Sequence, residues 1–175
     1  MKGDAMPEEQ RDWFQDPPPR RVGVLALLTR GTTVLLIRRT YGTPVYEWGL
    51  PGGSAAANEL PRRALSRLLA EKLALRVTPG PLTAVDHTPE WAGHHHEGTT
   101  FIYSAPTTDD TEPIVDQASG YAEAVWTEHA DIPHWAIDHE LHRIQQCLHA
   151  ARTGRVEELL LGIPQHTGCT TSGTG

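Results

Sequence analysis

The stretch from Trp48 to Leu75, WGLPGGSAAANELPRRALSRLLAEKLAL, gathers residue types that phosphate chemistry uses. Gly52 and Gly53 supply a backbone without Cβ atoms, which turns sharply and brings its amides close to phosphate oxygens. Glu59 stands six residues after Gly53. Behind Pro61, an amphipathic segment carries Arg67, Glu71 and Lys72 among Leu65, Leu68, Leu69 and Leu73, which recur at helical spacing. Pro-Gly-Gly alone signals only a turn; a glutamate and a helix at fixed distances behind it signal a site. The proline suits the first helical turn, where a missing N–H costs nothing, whereas Leu60 before it is a poor N-cap. Asn58 tolerates a left-handed backbone.

The stretch resembles the Nudix box, in which a glycine is followed by five residues, a glutamate, seven residues, and then Arg-Glu-apolar-any-Glu-Glu-any-Gly-apolar. Gly53, Glu59, Arg67 and Glu71 fall on that spacing, and Trp48, Leu50, Pro51 and Gly52 match its lead-in. Leu68 and Lys72 stand where the family has glutamates, and Ala74 where it has glycine. The resemblance implies an α/β fold, a Nudix-like α-β-α sandwich with a mixed β-sheet. It also implies cleavage of the pyrophosphate bond of a nucleoside-diphosphate derivative with magnesium or manganese, and relatives that are often dimers, so a homodimer is one assembly to test.

Carried over residue by residue, the resemblance makes Glu59 and Glu71 the metal ligands and Arg67 the group that orients them through charge-assisted hydrogen bonds. A hard cation neutralises the charge that builds on pyrophosphate oxygens, and two carboxylates hold one such ion when waters and phosphate oxygens complete its shell. With Leu68 and Lys72 in place, the resemblance implies weaker metal affinity and a missing base. Glu97, in a region where some relatives carry a further glutamate, is the candidate replacement and joins Glu71 and Arg67 as a catalytic residue. Gly52, Gly53, Arg38 and Lys72 are the candidate substrate-binding residues, Arg38 because it ends a strand near the expected cleft. Lys72 also supports a different account: an ammonium meets a phosphate directly as a point charge, so the cleft binds without metal and without cleavage.

His94, His95 and His96, with Asp86 and His87 nearby in sequence, form a third candidate, a site for a softer divalent ion. Side chains alternate along an extended segment, so three adjacent histidines do not all face one centre. A solvated histidine-rich loop is the plainer reading.

The elements that position these residues follow from the rest of the chain. Its 175 residues are enough for one domain with a real core. Residues 1–20 read as a polar N-terminal arm in which Trp13 and Phe14 are the sizeable apolar groups and Pro17 to Pro19 hold an extended connection. Residues 21–162 form the Nudix-like domain: strand runs VGVLALLTR and TTVLLIRR joined at Gly31, a short strand at 47–50, the helix from Pro61 to Leu73, strands at 81–88, 98–105 and 121–127, and a closing helix from Ile137 to Arg152 capped by Gly154. On that last helix Leu141, Ile144, Leu148 and Ala151 mark the expected buried face. Residues 163–175 read as a flexible C-terminal tail, rich in hydroxyls, whose Cys169, Thr170, Thr171 and Ser172 are alternatively targets for a modifying enzyme.

A formal net charge of -7 argues against general binding to nucleic acid polymers while leaving room for a local anion site. Cys147 and Cys169 exclude a disulfide or zinc-ribbon framework by count. There is no apolar run long enough for a membrane span and no apolar core in the first twenty residues, so the expectation is a cytoplasmic protein with a small phosphorylated partner. Three functions compete: a Nudix-type hydrolase with a reduced metal site, a catalytically silent Nudix fold that binds a nucleotide or phosphometabolite, and a scaffold recruited to other chemistry through the histidine loop.

Overall fold

The computed structural model describes residues 14–15, 17–41, 47–91, 96–108 and 110–165. Within them, β1 (Arg21–Arg30) and β2 (Thr33–Arg39) turn at Gly31, whose φ of +57° is the left-handed value a tight turn demands. The two strands pair only at the turn, through Thr29–Val34 and Arg30–Thr33, and then splay. β1 runs on in parallel with β6 (Gly98–Pro106), and β2 runs on antiparallel to β7 (Tyr121–Glu128). That splay curves the sheet and opens a cleft between its halves. The short strands β3 (Trp48–Gly49) and β4 (Gly52–Ser54) pair across the cleft, β3 with β2 and β4 with β1.

β5 (Leu82–Thr88) pairs antiparallel with β6 and parallel with β8 (Glu157–Leu160), and β9 (Ile163–Pro164) closes that edge. Neither β8 nor β9 is legible in the sequence; β9 takes in the first two residues of the segment expected as a tail. A four-residue helix α2 (Ile132–Trp135) was likewise unannounced, and it stacks Trp135 edge-on against Trp48 at 4.8 Å between ring centroids.

The pleat divides the core into two layers. From β1, Val24, Ala26 and Leu28 face helix α1 (Pro61–Leu73), whose Ala64, Leu65, Leu68, Leu69 and Leu73 are buried against them. Leu25 and Leu27, from the same strand, face the helix α3 (Asp138–Thr153) with its Ile144 and Cys147. Helix, mixed sheet and helix give the expected α-β-α sandwich. The buried face of α3 differs from the expected one: Glu140, Arg143, Ile144, Cys147 and Ala150 are buried, while Ala151 is exposed. An ionic pairing beneath α3 draws Glu140 and Arg143 inward and rotates the helix by about one position.

Both helix ends around the site behave as their residues dictate. Leu60 caps α1 without a side-chain hydrogen bond, and Asn58 adopts φ +61°. Ala74, where the family carries glycine, ends α1 in the left-handed conformation at φ +54°, a strain glycine would not feel. Gly154 does the same for α3 without strain.

Candidate functional site

The cleft contains a cavity of about 480 Å³ between the glycine pair and the first turn of α3. Gly52 is required where it stands: a Cβ on it would lie 1.9 Å from the carbonyl oxygen of Val24. Tyr121 fixes the same peptide. Its buried hydroxyl accepts a hydrogen bond from Gly52 N at 2.7 Å and donates one to Gly52 O at 2.6 Å, and burial pushes its pKa up.

Lys72 reaches the cavity from the last turn of α1. Its Nζ stands 4.5 Å from the centre of the Tyr121 ring and 5.8 Å from that of Tyr41, within cation–π range. It also sits 3.6 Å from where a Cβ on Gly53 would be, and Leu68 fills the space beneath at 3.3 Å. Among the described residues the ammonium has no ion-pair partner. Burial lowers its pKa.

The box carboxylates face elsewhere. Arg67 donates from Nε and Nη2 to the two oxygens of Glu59 at 2.8 and 2.7 Å, and from Nη1 to Glu71 at 3.0 Å. Glu59 also accepts Ala56 N at 2.9 Å. These bonds, the Arg67 pair first, hold the Glu59 carboxyl at about 2. Glu71 is 56% exposed, and neither glutamate lines the cavity. As arranged, the box fits a divalent cation poorly: both carboxylates serve Arg67, an apolar side chain fills the next position, and a cation already occupies the cavity side.

Of the remaining expected residues, Gly52 and Gly53 line the cavity and Arg38 does not. Arg38 is paired with Glu123 at 2.8 Å, and its neighbour Arg39 turns inward instead. Glu97 is held by Arg20 and lies outside the cavity lining. His94 and His95 lie outside the described residues, and His96 stands 3.9 Å from Glu90. Asp86 is committed to Arg143.

The far wall was not legible in the sequence. Arg39 Nη2 bridges Glu47 Oε2 and Glu140 Oε1, both at 2.8 Å; Arg143 bonds Glu140 at 2.7 Å and Asp86 at 2.6 Å. Burial alone would raise the Glu140 carboxyl, but Arg143 and Arg39 outweigh it and hold it at about 2. Glu47 moves the other way, raised by its burial and by Glu140. One atom from each of Glu47, His139 and Glu140 lies within 4.8 Å of the others, a ligand-like grouping. The Arg39 guanidinium already supplies its cation. Glu140 and Arg143 gave one signal, polar residues three apart in line with Ile144 and Cys147; Tyr121 gave none.

The NUDIX domain family matches residues 17–145. The chain is 43% identical over 58 residues to a putative 8-oxo-dGTP diphosphatase 2 of Mycobacterium tuberculosis, a match that covers 33% of the chain and 41% of that relative. A MutT NUDIX hydrolase from Burkholderia pseudomallei superposes with a TM-score of 0.64 at 26% identity, over 74% of this chain and 98% of that one. The NUDIX domain of Shewanella oneidensis NrtR, complexed with ADP ribose, superposes with a TM-score of 0.66 at 22% identity, over 83% and 99%. With the box at family spacing and the family match over most of its length, the chain belongs to the NUDIX domain family.

Proposed function

We propose that this chain binds a nucleoside-diphosphate derivative in the cavity between the glycine pair and α3, as a ligand-binding member of its family. The observation that carries the reading is charge. Four basic side chains, Arg21, Arg39, Lys72 and Arg143, line the cavity against two carboxylates, Glu47 and Glu140, in a chain whose formal net charge is -7. Arg39 and Arg143 are spent on the carboxylates, which leaves Arg21 and Lys72 without ion-pair partners among the described residues. Two cations without ion-pair partners, the half-buried Lys72 and the exposed Arg21, beside a glycine backbone favour an anion of more than one charge. The volume suits a mononucleotide-sized ligand.

A second reading retains hydrolysis of the pyrophosphate bond, with Glu71, Glu97 and Arg67 as catalytic groups and Glu59 and Glu71 as ligands of magnesium or manganese. The exposure of Glu71, which accepts a single hydrogen bond from Arg67, favours it. Nucleoside monophosphate release separates the two readings. It is measured on nucleoside-diphosphate sugars, dinucleotides and nucleoside triphosphates with magnesium or manganese, for the natural chain and Glu71→Ala. Ligand-induced thermal stabilisation without turnover supports binding alone, whereas turnover that Glu71→Ala removes establishes the hydrolase.

A further inference from the structure

We infer that Lys72, held on the ring of Tyr121 beside the Gly52–Gly53 turn, is a phosphate seat that works without a divalent metal, the ammonium standing in for the ion. The inference rests on the cavity reading above and names the atoms that replace the metal there.

Three observations converge. The Lys72 ammonium lies on the face of Tyr121, 4.5 Å from the ring centre, beside Gly53 and without an ion-pair partner among the described residues. An aromatic face holds a cation by its quadrupole while leaving the cation's remaining donors unspent, unlike a carboxylate, which would neutralise them. The hydroxyl of the same tyrosine grips the backbone N–H and C=O of Gly52, which fixes the direction of the backbone next to the ammonium. One side chain therefore positions the ammonium and the turn beside it, and the ammonium is what meets the phosphate. Finally, Leu68 closes the space beneath Gly53 with an apolar side chain, and an apolar wall beside an ammonium disfavours a second cation. Tyr121 is a positioning residue in this scheme, and Lys72 is the ligand-contacting one.

The arrangement predicts how binding responds to metal and to each group. ADP ribose, ADP and inorganic pyrophosphate are titrated calorimetrically into the natural chain in EDTA and again in magnesium chloride. Binding of at least one of them persists in EDTA with an affinity within about threefold of that in magnesium. Lys72→Met, which keeps the length and apolar stem of the side chain, weakens it by at least about tenfold, and Lys72→Arg restores part of the loss because it returns the charge. Tyr121→Phe keeps the ring and loses the glycine grip, so it weakens binding less than Tyr121→Leu, which loses both. Thermal denaturation of each variant confirms that it is folded, and the order of the two tyrosine variants separates positioning from a general loss of packing. Binding that appears only with magnesium overturns the metal-free seat and leaves the cavity reading standing. Unchanged affinity in Lys72→Met also overturns the seat. No binding of any probe in either buffer overturns both.

Discussion

Two ionic clusters flank the cavity, and they use arginine in opposite ways. On the α1 side, Arg67 holds Glu59 and Glu71 at the surface, with side chains 37%, 19% and 56% exposed. On the α3 side, Arg39 and Arg143 hold Glu47, Glu140 and Asp86 in the interior, with Glu140 2% and Asp86 0% exposed. Water screens the first cluster, so it contributes little to stability and its members are free to change partners. The second has given up its hydration and holds only while every charge is paired. The cluster inherited from the box is thus the adaptable one, and the cluster absent from the box is the scaffold.

Substitutions that remove one partner break this contrast most sharply. Glu140→Ala leaves Arg39 and Arg143 buried short of a carboxylate and destabilises the fold by about 3–5 kcal/mol, measured by urea denaturation. A loss below about 1 kcal/mol would show that the interior cluster is solvated after all. Ala74→Gly relieves the left-handed residue at the end of α1 and stabilises by up to about 1 kcal/mol, since glycine gives back part of the gain in the unfolded chain. Glu71→Gln, at the exposed pair, changes stability by less than about 1 kcal/mol; a larger loss would mean that the surface cluster carries structure.

The pH dependence sharpens the same comparison. The Glu140 carboxyl is held at about 2 in the folded chain against an ordinary value of 4.5. Its contribution is therefore complete above the ordinary value and is lost as pH falls toward 2, because the unfolded chain takes up the proton first. Glu59 is depressed in the same direction, but solvent screens its partner. Between pH 5 and 2, Glu140→Gln flattens the fall of melting temperature with acidity more than Glu59→Gln does. Equal flattening would erase the distinction between the clusters.

The box spacing placed Gly53, Glu59, Arg67 and Glu71 correctly along the chain, and the helical period of Leu65, Leu68, Leu69 and Leu73 placed α1 against the sheet. Local signals also gave the turn at Gly31 and the cap at Gly154, because each depends on backbone freedom within a few residues. Helix α3 was found with its face misplaced, since the apolar count favoured Leu148 and Ala151 over residues that are charged yet buried. Strands β8 and β9 were missed because a strand of two to four residues is specified by its partners more than by its own sequence.

The sequence by itself determined the family, the order of the main elements, and which carboxylates the box had lost. The tertiary structure alone decided what stands in their place. Lys72 and Tyr121 are 49 positions apart in the numbering, and Glu47 and Glu140 lie further apart still. The splay of β1 from β2 brings these pairs onto opposite walls of one cavity. Whether a charge is screened or desolvated depends on what packs over it, and packing over a distance of that length is a property of the folded sheet rather than of any local stretch.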